Sequence, residues 1–389
     1  LKALVLAGGT GSRLRPLTQT IPKQLLPIAN TPVLRHCLEQ LRTLGVTDVG
    51  VVVGRFGGQI RAAFGDGADL GLRVRYLTQD RPAGLADCVR LAGDFLGDDD
   101  FVMYLGDNVL VGDLRPALRR FRETRSDAHL LVTAVPDPRA YGVADLAADG
   151  TVRAVAEKSP DPPSDLAIIG VYWFTAAVHR AVRRIRPSAR GELEITDAIQ
   201  HLIDDGRPVT AQRFHGAWRD AGSVTALLDC NRLLLSDLRG AATPATTPDA
   251  GRDTRTDAGR DAGTDAGRDA GTGVGPGTVV HGPVRVDPGA RVVRSRLVGP
   301  VVVGAGSVVV DSLVGPDVAV GAGCGVTGAV VRDAILLPGA VVDGGAPVVG
   351  AVVGPGRRVT PGRTAPVPAA TGHATGRATA AVPQPTATP

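Results

Sequence analysis

Lysine is almost missing from this chain. Of its 43 basic residues, all but Lys2, Lys23 and Lys158 are arginine. Arginine replaces lysine across most surfaces, so each surviving lysine is a weak pointer to a place that wants a compact ammonium. Cysteine is scarce as well, with Cys37, Cys88, Cys230 and Cys324. None forms a Cys-x-x-Cys pair or stands at metal-ligand spacing from a histidine, so they read as reduced, buried small side chains. No run of about 18 apolar residues occurs, so no membrane-spanning helix is expected. The start lacks a charged segment leading into a signal-peptide core, and a cytoplasmic location is expected. Strong charge of one sign is lacking too. The formal charge is +4 over 389 residues, and the basic residues are scattered, which argues against a nucleic-acid surface.

What is present falls into zones of different texture. Residues 1–238 alternate short apolar runs with amphipathic stretches. Lys2–Leu6, Asp48–Val53, Arg73–Tyr76, Phe101–Leu105 and His129–Val135 read as strands, and Val33–Leu44, Gln59–Phe64, Leu85–Ala92 and Leu114–Thr124 as helices. This alternation predicts an α/β, Rossmann-like layered domain with a mainly parallel sheet. Ligands of such sheets bind beyond the carboxyl ends of the strands. Residues 239–273 repeat Asp-Ala-Gly with Arg and Thr. They carry no large apolar side chains and predict a disordered linker, a tether rather than a rigid coupling. In 274–362, valines recur five or six apart at Val286, Val292, Val298, Val303, Val309, Val314, Val320 and Val326. That hexapeptide-like period predicts a left-handed parallel β-helix. The Pro/Ala/Thr-rich stretch 363–389 predicts a disordered tail.

The first strand runs into Leu6-Ala7-Gly8-Gly9-Thr10-Gly11-Ser12-Arg13-Leu14-Arg15-Pro16. Gly8, Gly9 and Gly11 permit a sharp turn with amides pointing inward, a nest for phosphate oxygens. It is not a P-loop, because no Gly-Lys-Ser/Thr follows, and not the dinucleotide fingerprint, because Leu14 stands where a third Gly is needed. Arg13 can grip phosphate bidentately. Pro22-Lys23-Gln24-Leu25-Leu26-Pro27 follows, bringing a second cation.

These two motifs in order resemble the signature of the sugar-phosphate nucleotidyltransferases, and most nearly the long form of the glucose-1-phosphate thymidylyltransferases, which carries a β-helix extension. The resemblance covers roughly 1–235, and 280–360 more loosely. It implies that Leu6, Gly8, Gly9 and Gly11 hold nucleotide, that Gln79 and Gly84 meet the base, and that Arg13 and Lys23 are catalytic. A Gln amide both donates and accepts, which suits the N3–H and O4 edge of thymine or uracil. Asp87-Cys88 stand where the family usually has His-Ala or Gln-Ala. Asp107 in Leu105-Gly106-Asp107-Asn108 and Asp220 in Trp218-Arg219-Asp220-Ala221-Gly222-Ser223 are implied to hold Mg²⁺; Ala221 and Ser223 replace two threonines of the family pattern. Tyr141, Gly142, Glu157, Lys158, Gly170 and Tyr172 are implied around the sugar phosphate, Glu157 taking hydroxyls and Lys158 the phosphate. Gly191–Asp197 resembles a segment that opens a helix, with Thr196 either a substrate-binding residue or only a cap residue.

The activity implied is transfer of a deoxythymidylyl group from dTTP to glucose 1-phosphate by a homo-oligomer, with Mg²⁺ as cofactor. Related alternatives are a uridylyltransferase or another sugar nucleotidyltransferase. A catalytically silent regulatory homologue would have lost Arg13, Lys23 or the two Asp residues, and all are present. A relative with an acetyltransferase coil begins Leu-Ala-Ala-Gly, unlike Leu6-Ala7-Gly8-Gly9. The coil here also offers only His281, at its edge, as a base. The chemistry is expected to need only residues before the linker.

Overall fold

The computed structural model describes residues 1–239, 273–345 and 347–360, and the backbone of 367–368. The expected linker and tail lie outside the described residues apart from these margins. Val367–Pro368, within the expected tail, pairs antiparallel with Ala351–Val352. Among the described residues, no helix is long and apolar enough to cross a membrane.

The N-terminal unit is built on one mixed sheet. Its strands are β1 (Lys2–Ala7), β2 (Asp48–Val53), β3 (Arg73–Thr78), β4 (Phe101–Leu105), β6 (Ala128–Ala134), β7 (Gly142–Leu146), β8 (Val152–Glu157), β9 (Leu166–Phe174) and β10 (Val209–Arg213). The spatial order is β8-β7-β9-β4-β1-β2-β3, with β6 joining β9 to β10. Pairing is parallel around β1, which bonds both β2 and β4, and antiparallel around β9, which bonds β4, β6 and β7. The intervening β5 (Asn108–Val111) forms a separate ribbon with β11 (Ala217–Asp220).

Helices cover both faces, which is why β1 is apolar from Ala3 onward rather than alternating. Leu4 and Leu6 enter one layer with α3 (Leu85–Leu91), α5 (Ala177–Arg184) and α6 (Ile195–Asp204). Ala3, Val5 and Ala7 enter the other with α1 (Val33–Thr43) and α4 (Arg115–Thr124). Also helical are α2 (Gly57–Phe64), the single turn Gly93–Leu96 and α7 (Val224–Ser236).

Residues 273–360 stack short strands in parallel, an arrangement consistent with the left-handed β-helix. Val301 pairs with Val318 and Val308 with Gly325, so a turn takes 17 residues there; Val318 pairs with Ala334, a turn of 16. Three sides of five or six residues account for the uneven valine spacing. Val292, Val303, Val309, Val314, Val320 and Val326 fill the interior. Val286 and Val298, nearer the open end, are only half-buried. One corner carries a hydroxyl ladder: Thr278 accepts from the Ser295 amide at 3.4 Å, Ser295 from the Ser312 amide and Ser312 from the Ala329 amide, both at 3.1 Å. These hydroxyls partner corner amides that a regular ladder would leave without acceptors.

The two units are not merely tethered. Leu14, Leu17, Leu26 and Ile28 share an apolar cluster with Leu227 and Leu228 of α7 and with Ile335, Leu337 and Val352 of the coil. Further along α7, Leu235 packs on Val302 and Ala319. Arg232 grips both oxygens of Asp333 at 2.7 Å. Asn30 donates to the Val320 carbonyl at 2.8 Å, and Asn231 to that of Asp317 at 3.2 Å. The expectation of a loose coupling fails because one flank of the coil presents Val302, Ala319, Ile335, Leu337 and Val352 to the N-terminal unit, a property that valine spacing does not reveal.

Candidate active site

The glycine turn leaves the end of β1 and closes on what stands opposite. Gly11 is left-handed at φ 64°, and its carbonyl accepts from the Thr18 hydroxyl at 2.6 Å. A Cβ at Gly9 would stand 3.2 Å from Lys23 Cε, and one at Gly8 would be 3.6 Å from Gln79 Oε1. Missing side chains thus let the backbone approach both functional groups. A cavity of about 240 Å³ is lined by Leu6, Gly8, Gly9, Lys23, Gln79, Gly84 and Asp107. Gly84 is required by its surroundings: φ is 101°, and a Cβ would fall 2.3 Å from the Leu193 carbonyl oxygen.

The two aspartates meet because two strand ends meet. Asp107 follows β4, where the Gly106 amide is fastened to the Leu6 carbonyl at 2.9 Å. Asp220 ends β11, in register with Asn108, and the Ala221 amide donates to the Asp107 carbonyl at 3.0 Å. Lys23 is ion-paired with Asp107, and the more exposed Arg13 reaches Asp220 at 3.6 Å. Burial, then repulsion from Asp107, raises the Asp220 pKa, while Lys23 and Arg13 pull it down. Asp220 Oδ1 is buried with no hydrogen-bond partner among the described residues. Those residues contain no cluster of three or more His, Cys, Asp or Glu able to hold a metal.

A second polar group is built around Glu157. Burial raises its pKa first, and Lys158 and Arg190 oppose this from 3.5 and 3.4 Å. A Cβ on Gly142 would come 2.9 Å from Glu157 Oε2. Lys158 is left-handed at φ 43°, as is Gly170 at 76°. A Cβ on Gly170 would meet Asn108 Nδ2 at 2.7 Å. Asn108 Oδ1 accepts from the Trp218 indole at 2.7 Å, and the Tyr141 ring packs edge-on against Trp218. Tyr172 is buried beneath this group in the core, its ring stacked on Phe174.

Sequence reasoning overlooked Arg190. Its guanidinium lies 2.7 Å from Glu194 and 3.4 Å from Glu157, next to Lys158. Its only signal was its place directly before the Gly191–Asp197 segment. Thr196 does not cap α6, whose N-cap position is Glu194; its hydroxyl donates to Glu157 Oε2 at 3.2 Å. The site therefore offers a glycine nest with two cations, a pair of carboxylates, and a second cationic group beside a half-buried acid. That set has the charge to hold two phosphorylated molecules.

Known proteins are similar to the chain over the unit that carries these residues. A profile described as nucleotidyl transferase matches residues 2–237. A glucose-1-phosphate thymidylyltransferase of Streptomyces antibioticus is 45% identical over 338 residues, 87% of each chain. One from Streptomyces griseus is 56% identical over 235 residues, 60% of this chain and 66% of that one. The crystal structure of a putative glucose-1-phosphate thymidylyltransferase from Bacillus anthracis in complex with a sucrose superposes with a TM-score of 0.56 at 35% identity, covering 60% of this chain and 94% of that chain.

Proposed function

The chain belongs to the nucleotidyl transferase family, and from that premise we propose that it transfers a deoxythymidylyl group from dTTP to glucose 1-phosphate, giving dTDP-glucose and pyrophosphate. One observation carries the reading. The cavity that gathers Gly8, Gly9, Gln79 and Gly84 opens directly onto Lys23 and Asp107. A base can sit at one end while its phosphates reach the cations at the other.

The step needs no nucleophilic side chain. A phosphate oxygen of glucose 1-phosphate attacks the α-phosphorus, a new P–O bond forms, and the bond to pyrophosphate breaks. The protein contributes positioning and charge. Gly8, Gly9 and Gly11 present amides to the triphosphate. Arg13 and Lys23 stabilise charge on the α-phosphate and the departing pyrophosphate. Lys158 and Arg190 hold the attacking phosphate, and Glu157 accepts from sugar hydroxyls.

Asp107 and Asp220 would hold a divalent cation, for which Mg²⁺ is the choice. Their hard oxygens suit it, and Asp220 Oδ1 lacks a partner among the described residues. Two carboxylates are enough because Mg²⁺ usually completes its shell with water and substrate phosphate. When bound, such an ion neutralises phosphate charge. The test is pyrophosphate release on mixing dTTP, glucose 1-phosphate and Mg²⁺. Release that depends on both substrates supports the reading, and release without the sugar phosphate contradicts it.

A further inference from the structure

We propose that Asp87 is a specificity-determining positioning residue, which locks the Gln79 side-chain amide so that its oxygen faces the base. The inference rests on the dTTP-binding reading above. Gln79 Nε2 donates to Asp87 Oδ2 at 2.9 Å. An ionised carboxylate only accepts hydrogen bonds, so the group facing it must be the NH₂ end of the amide. The Oε1 end then points the other way, where a Cβ on Gly8 would lie 3.6 Å from it. Gly8 and Gln79 line the same cavity, together with Gly84 and Leu85.

Unrestrained, a glutamine amide can present either a donor or an acceptor, and so does not discriminate between pyrimidines. Held by Asp87, it presents an acceptor. Thymine and uracil carry a hydrogen on N3 and satisfy it. Cytosine has a bare N3, and would set two lone pairs against each other in a partly desolvated site. Leaving a buried acceptor unpaired is costly, and sites built around one hydrogen bond reject the analogue that lacks it. Asp87 itself touches only Gln79 in this account; it acts through that side chain.

The test uses the full chain and compares dTTP with dCTP. Asp87→Asn nearly preserves shape, yet its amide can donate to Gln79 Oε1 and lets Gln79 turn over. The kcat/KM preference for dTTP over dCTP should fall by on the order of 10- to 100-fold, while KM for glucose 1-phosphate stays unchanged. Asp87→Ala, which frees the amide without reversing it, should give a smaller fall. Calorimetric binding of the two nucleotides should follow the same order, independent of turnover. An unaltered preference in either folded variant overturns the proposal while leaving the proposed function standing. A wild-type chain that does not use dTTP overturns both.

Discussion

At the scale of single residues, the account makes charge the working part of the site. Lys23→Ala and Arg13→Ala should each lower kcat by about 10²- to 10³-fold, the scale for losing one donor that stabilises developing charge. Steady-state rates on variants with wild-type circular dichroism check this, and a wild-type kcat in Lys23→Ala would mean the triphosphate lies elsewhere. Asp220 adds a pH dependence. Its pKa is raised by burial and by Asp107, so on acidification a proton competes with the cation at a pH above the ordinary aspartate range. The Mg²⁺ concentration for half-maximal rate should therefore rise as pH falls, and that rise should be smaller in Asp220→Asn. Rate titrations with Mg²⁺ at several pH values measure it; an unchanging requirement would contradict the assignment. The residues legible in the sequence were those in dense local motifs, such as Gly8, Gly9, Gly11 and Lys23. Asn108 and Arg190 were missed because Trp218 and Glu157 are brought to them by strand order, which no local spacing encodes, while Asp87 meets Gln79, eight residues before it, through the turn between β3 and α3.

At the scale of elements, β6 carries a titration of its own. His129 is buried, its Nδ1 shares a hydrogen bond with the Thr210 hydroxyl at 2.8 Å, and its Nε2 has no partner among the described residues. Burial lowers its pKa to about 4. The unfolded chain, with a pKa near 6.5, takes up the proton first as pH falls. Stability fully present above about 6.5 is lost progressively down to about 4, by up to about 3 kcal/mol. The urea midpoint should fall more steeply over that window in the wild type than in His129→Gln. Parallel slopes would show that His129 takes its proton in the native state. A second element test is the cap of α7, where the Ser223 hydroxyl accepts from the Ala226 amide at 3.1 Å. Ser223→Ala should cost about 1 kcal/mol in denaturant unfolding, and no change would mean the cap is idle. The strands around β1 were legible because each is short, apolar and flanked by amphipathic helices. Of the antiparallel half only β6 was legible: β9 is a buried run of nine residues, and burial on both faces removes the alternation that would have exposed it. The coil was legible from its valines, but the 16- and 17-residue turns follow from how its corners close.

At the scale of the whole molecule, the coil shares an apolar cluster with the catalytic unit. Leu14 and Leu17 flank Arg15 and follow Arg13, and both pack in the cluster that includes Ile335, Leu337 and Val352. Residues 1–238 alone would expose these side chains, a contiguous apolar patch of the kind that drives association. The fragment should aggregate or lose most of its activity, against the sequence-based expectation that it stands alone. Size-exclusion chromatography and rate measurement beside the full chain decide this; a monodisperse, fully active fragment would restore the earlier division of labour. The central claim is that one cleft selects dTTP and joins it to glucose 1-phosphate. The most direct test gives the full chain Mg²⁺, glucose 1-phosphate and an equimolar mixture of dTTP, UTP, dCTP, GTP and ATP, and identifies the nucleotide-sugars by mass spectrometry. The account predicts dTDP-glucose as the main product with UDP-glucose second, because the two bases differ by one methyl, worth about 10- to 200-fold. A purine nucleotide-sugar in first place, or no nucleotide-sugar at all, would contradict it.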